Sequence, residues 1–248
     1  MGSGSTPLTR HRWRRTLRAG LYWTALGLGS ASISYACDPD VAARSLGFDR
    51  TVATLFFALV PIPPIALGIR GLALSLRERA GWDAARRTAM YLAARLPESY
   101  VVIAHYAPRD AGDDDVPIIV VGPSGVVVIE PRLDEGDVVC IDDHWYRRRA
   151  HGVGRRMKGM SPSARARRNV GRVRRDLTRG GFARTPVVPF VVFTSARVVE
   201  ASSLSVPALE GLDAVVAELI RAADPETTPA RMRALAEALV GPTRLAVV

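Results

Sequence analysis

The stretch from Val116 to Arg132, VPIIVVGPSGVVVIEPR, constrains the fold more than any other. An apolar run, Ile118 to Val121, enters the turn Gly122-Pro-Ser-Gly125, and a second run, Val126 to Ile129, leaves it. Valine and isoleucine fit a pleated surface, and Gly, Pro and Ser fit a reversal, so the stretch predicts a tight β-hairpin at the centre of a sheet. Side chains alternate along a strand, which puts Val128, Glu130 and Arg132 on one face. A carboxylate and a cation at the end of a buried strand make Glu130 and Arg132 candidate site residues. The alternative is a same-strand ion pair between them.

Upstream, the chain is divided by two uncharged stretches. Ala19 to Ala36 has 18 residues without a charge, and residues 51–69 form a second run of 19. The first is at the short end for a membrane span, with Tyr22 and Trp23 near its basic flank, where interfacial aromatics belong. The second contains Pro61, Pro63 and Pro64, which predict a kink. Arginines flank the outer ends of both stretches, and CDPDVAARSLGFDR lies between them. The positive-inside rule then places both ends in the cytoplasm. The expected organisation is a basic cytoplasmic N-terminus (1–18), a two-span transmembrane hairpin (19–76) and a cytoplasmic globular domain (78–248). A cleaved signal peptide ending at Ser34-Tyr35-Ala36 is the competing reading of the first span.

The rest of the domain reads as alternating elements. An amphipathic helix is predicted over 82–96, with Ala85, Ala89, Leu92 and Leu96 on one face. A strand follows at 100–105, and two short strands surround Asp142-Asp143-His144. Residues 149–160 read as a flexible basic loop. Ser161 as N-cap and Pro162 at the first position start a helix to about Leu177, with Ala166, Val170, Val173 and Leu177 inward. A strand at 187–193 and helices at 208–222 and 228–239 complete the pattern.

The hairpin GPSGVVVIEPR resembles the core of the nuclease-related domain family, NERD, whose usual pattern ends a Val-Val-Gly-Pro-x-Gly-Val turn in Ile-Glu-x-Lys. Ser161-Pro162 with Asn169 and the strand 187–193 resemble two further pieces, and the likeness covers roughly 81–200. It implies an α/β, restriction-endonuclease-like mixed sheet flanked by helices. It also implies metal-dependent phosphodiester cleavage, in which carboxylates hold a divalent ion that activates water. Carried over position by position, Glu130 matches the family glutamate. The first-strand aspartate falls on Pro117, the lysine on Arg132 and the helix glutamine on Arg165. Trp82 stands where an opening glutamate is expected. If the site acts with Mg2+ or Mn2+, the ligands expected are Glu130 and Asp115, with Arg132 or Lys158 as the cation. Asp115, two residues before Pro117, shares its face in a regular strand but sits roughly 7 Å away.

Charge decides the remaining expectations. The chain carries 34 Lys and Arg against 24 Asp and Glu, and Lys158 is its single lysine. Between Arg147 and Arg184 stand thirteen arginines and one acid, Asp176. Arg165, Arg168, Arg172, Arg175 and Arg179 recur at helical spacing and form a candidate phosphate-binding stripe, for DNA or RNA or for anionic lipid. Cys37 and Cys140 are too few for a disulfide framework or a cysteine zinc site. His105, His144 and His151 lack metal-ligand spacing and read as surface or turn residues. Whether the domain is an enzyme stays open. A membrane-anchored, catalytically impaired nuclease-like domain, an active nuclease with a rearranged site, and a membrane-surface interaction module are all consistent with the residues.

Overall fold

Branched side chains on both arms of the hairpin need cover on both faces, and helices supply it. The computed structural model describes residues 9–38, 41, 44–45, 47, 49–109, 115–149, 152–157 and 160–241. It divides into two compact units, one from Arg10 to Ala80 and one from Gly81 onward.

In the first unit, helices α1 (Thr9–Ala36), α2 (Arg50–Leu59) and the first part of α3 (Ile62–Arg95) carry the uncharged stretches. The proline cluster separates α2 from α3 at Val60–Pro61, and Pro63 and Pro64 fall in the first turn of α3, where missing N–H groups cost least. Helices α1 and α3 pack antiparallel through glycine. A Cβ on Gly20 would lie 2.8 Å from Leu72 N, and one on Gly27 2.8 Å from Ile65 N. One on Gly68 would lie 2.6 Å from Thr24 N. Outside this seam Leu21, Leu28, Ile33, Leu59, Ile69 and Leu76 are exposed. The run Arg50–Arg95 is long and apolar enough to cross a membrane, with a mean hydropathy of 2.1 over its best 18 residues. Among the described residues no other helix meets that measure. Helix α1 misses it because serines, tyrosines and glycines dilute its apolar residues. Gly68→Leu is expected to force the two backbones apart and cost about 1–3 kcal/mol. Thermal unfolding of the full chain in detergent checks this, and an unchanged midpoint would mean that the seam is not formed.

In the second unit, β1 (Val101–Tyr106), β2 (Val116–Gly122), β3 (Gly125–Ile141), β4 (His144–Arg149) and β5 (Gly152–Arg156) pair antiparallel in sequence. Strand β6 (Val187–Ala201) pairs parallel with β3, and β7 (Ala208–Glu210) parallel with β6. The hairpin register closes at Gly122 opposite Gly125. One face of the sheet packs Ile119, Val121, Val126 and Val128 under α4 (Pro162–Arg179) and α6 (Pro229–Val240). The other packs Ile118, Val120, Val127 and Ile129 under the end of α3 and under α5 (Leu212–Arg221). The expected mixed sheet flanked by helices is therefore present, and burial on both faces explains its unbroken apolar runs.

Four local expectations are corrected. The helix over 82–96 has no start of its own, because α3 runs through Gly81 without a break. Strand β3 is one 17-residue strand, not a hairpin arm followed by a separate strand at 137–141. Residues 152–156 of the predicted basic loop form β5, pairing with β4. Ser161 stands at the N-cap of α4 without capping it, its hydroxyl donating instead to the Asp143 carbonyl at 3.0 Å.

Candidate functional site

Glu130 follows Val128 on the α4 face of β3 and is 2% exposed. Helix α4 brings two residues one turn apart onto its carboxylate. Arg165 Nε lies 3.3 Å from Oε1, and Asn169 Nδ2 donates to Oε2 at 3.4 Å. Asn169 is fully buried, and its Oδ1 has no hydrogen-bond partner among the described residues. Burial pushes the Glu130 carboxyl up to about 7. Arg165 and Arg132 pull it down, Asp115 pushes it up, and Arg168 also pulls it down, so all four lie within electrostatic reach.

Arg132 does not pair with Glu130, which corrects the same-strand ion-pair expectation. Its guanidinium bonds Asp134, with Nε at 2.9 Å, and Arg147 meets the other oxygen at 2.8 Å. Burial opposes ionisation of Asp134, but the hydrogen bonds and charge of Arg147 and Arg132 outweigh it and hold the carboxyl below the usual range.

Asp115 is held by a residue read as a surface histidine. His105 is buried, 4% exposed, with Nδ1 2.9 Å from Asp115 Oδ2 and its ring stacked on Trp82 at 4.6 Å. The cause lies in the backbone. Ala104 pairs with Ile118 and Tyr106 with Val116, leaving His105 opposite Pro117. Proline offers no N–H to the ladder, and His105 adopts a left-handed φ of 53°. Alternation slips by one there: Tyr106 and Val116 join the core cluster of Ile103 and Ile119, at odd spacings along their strands. A proline opposite a strand-end histidine was the available signal.

Lys158 lies outside the described residues. The arginine stripe divides in two. Arg165 turns in to Glu130, and Arg179 lies 3.3 Å from buried Asp176. Asp176 also accepts from the Tyr106 hydroxyl at 2.7 Å, so the single acid of the basic region is spent inside the fold. Arg168 and Arg175 are exposed and Arg172 is half-buried.

Among the described residues no group of three or more His, Cys, Asp or Glu side chains is arranged to hold a metal ion. A guanidinium already sits on Glu130, Asp115 is bound to His105, and Pro117, which carries no ligand, stands where the family aspartate falls.

Residues 80–194 match the family model described as nuclease-related domain. That stretch belongs to the NERD family. The NERD match spans the end of α3, β1 to β5, α4 and the first half of β6, which together carry every residue of the Glu130 cluster. No curated protein and no solved structure matches the chain.

Proposed function

We propose that the chain is a membrane-anchored nuclease-like protein whose NERD domain has lost cleavage and binds nucleic acid. The contact between Arg165 and Glu130, 3.3 Å, carries the loss of cleavage. Magnesium needs oxygen ligands at about 2.1 Å, and a guanidinium on the same carboxylate competes with it. Guanidinium stays protonated, so neither Arg165 nor Arg132 replaces a lysine as a base. A carboxyl raised to about 7 is also half protonated at neutral pH, which weakens it as a ligand.

The nucleic-acid reading rests on charge. The basic region keeps most of its arginines at the surface and buries its one acid. The anchor reading rests on the exposed apolar flanks of a glycine-seamed helix pair, because small residues let helix backbones meet where lipid removes the hydrophobic drive. The arginine flanks favour a multi-pass cell-membrane protein with the NERD domain in the cytoplasm.

The test incubates the full chain in detergent with single- and double-stranded DNA plus Mg2+ or Mn2+, beside Glu130→Ala. The expected result is no cleavage by either protein, with a mobility shift that fades as salt rises. Metal-dependent cleavage lost in Glu130→Ala would overturn the impaired reading and make Asp115 the next target. Neither cleavage nor a shift would overturn the binding reading in favour of a membrane-surface module.

A further inference from the structure

Strands β4 and β5 form the outermost ribbon of the sheet, with Tyr146 opposite Arg156, Arg148 opposite Val153 and Arg149 opposite Gly152. Arg147, Arg148, Arg149, Arg155 and Arg156 are all exposed. Arg147 meets Asp134, whereas no carboxylate among the described residues pairs with the other four. Alternation puts Arg147 and Arg149 on one face of the ribbon, and Arg148 with Arg156 on the other. The ribbon's root is fixed. Trp145 is buried in the core, and Met157 N bonds its carbonyl at 2.8 Å. Gly154 lies so close to the Arg147 carbonyl oxygen that no side chain fits there.

Arginine on both faces selects the partner. A lipid surface is a plane and meets one face of a ribbon, leaving the other in water. A duplex groove has phosphates on both walls. The B-form major groove is about 12 Å wide and admits a two-stranded ribbon, whereas the A-form RNA major groove is too deep and narrow. Residues on one face of a strand recur at roughly 6.7 Å, which sets the arginines of one face far enough apart to meet separate phosphates.

We propose that the β4–β5 ribbon enters the major groove of duplex DNA, its two arginine faces meeting phosphates on opposite walls. The proposal rests on the nucleic-acid reading above and adds the element and the form of nucleic acid. Contacts to phosphate carry no sequence information, so binding is tolerant of sequence and steeply salt-dependent.

The experiment measures anisotropy of labelled duplex DNA, single-stranded DNA and duplex RNA against the full chain in detergent, across a salt series. The quadruple variant Arg148→Gln, Arg149→Gln, Arg155→Gln, Arg156→Gln is compared with wild type. Four lost phosphate contacts are expected to lower the slope of log affinity against log salt by roughly 3.6. Thermal unfolding checks the variant's fold. If the quadruple variant fails to fold, Arg148→Gln with Arg156→Gln tests one face alone, with an expected slope change of roughly 1.8. Wild type is expected to prefer duplex DNA to duplex RNA. A variant that binds DNA with wild-type affinity and slope would overturn the ribbon while leaving nucleic-acid binding intact, and equal affinity for duplex RNA would overturn the groove. A wild type that binds no nucleic acid but sediments with phosphatidylserine vesicles would overturn both this proposal and the reading beneath it.

Discussion

Glu130→Gln is expected to stabilise the protein at pH 8 by about 3 kcal/mol and to change nothing near pH 4. Burial raises the Glu130 carboxyl from 4.5 to about 7. Between those values the folded state holds a proton that the unfolded chain has released. Stability therefore falls as pH rises through that window and stays low above it. Each unit of displacement is worth about 1.4 kcal/mol. The attraction of Arg165 is already included, since it lowers a value that burial would otherwise set higher. Glutamine keeps the shape and the contact with Asn169 but has no proton to lose, and Arg165, 40% exposed, is able to turn to water. For a chain of this size the gain is roughly 6–12 °C in Tm at pH 8. Melting curves of both proteins from pH 4 to 8 decide it: parallel profiles would mean that Glu130 is hydrated in the folded state. At a working metal site the same substitution removes a ligand and the activity with it. Under the proposed loss of cleavage it relieves a buried charge and removes no activity, so the melting curves and the cleavage assay are read together.

The parts of the fold carried by period were legible in the sequence. Alternation and turn chemistry placed the hairpin, and both predicted helix faces, Ala85 to Leu96 and Ala166 to Leu177, are buried. Strand β5 was not legible. GVGRR has no apolar alternation, and the segment is extended because β4 offers it a partner. The continuity of β3 was hidden by Pro131 and Gly136, which read as strand breakers. Strand β2 pairs with β3 only as far as Ile129, and β4 pairs with it only from Val138, so the residues between have β6 as their neighbour on one side alone. An open side tolerates a missing N–H. Within the site, Glu130 was readable from its place on the strand, but its partners were not. Arg165 looked like one member of the candidate phosphate-binding stripe, since spacing by three and four identifies a helix face without saying what lies opposite. Asn169, four residues on, was the sign that this edge of the face turns inward. The His105–Asp115 pair depends on a backbone slip at Pro117, and neither composition nor period reports a slip.

Trp145→Ala is expected to cost about 4 kcal/mol, the largest loss from any single side chain at the root of the arginine ribbon. Trp145 is 1% exposed, stands opposite Cys140 on β3, and packs its ring 4.8 Å from Phe193 on β6. Its Nε1 donates to Ser163 Oγ at 2.9 Å, in the first turn of α4. One side chain thus ties β4 to the strand beneath it and to the helix that carries Arg165 and Asn169. The two contributions separate in Trp145→Phe, which keeps much of the ring contact and loses the donor. The Ser163 hydroxyl still lies within hydrogen-bonding reach of the Asp143 carboxylate, so that change is expected to cost about 1–2 kcal/mol beyond the lost volume. Denaturant unfolding of the full chain in detergent measures both. A loss under about 1.5 kcal/mol for the alanine variant would mean that the neighbouring side chains close the space, and that the ribbon is not rooted through this ring. A loss of the expected size has a functional consequence that the arginine substitutions lack. Under the proposed ribbon, removing surface charge is expected to weaken DNA binding without moving the melting temperature. Removing Trp145 is expected to lower both together, because arginines on an unrooted ribbon would no longer hold the spacing that the proposed groove contact requires.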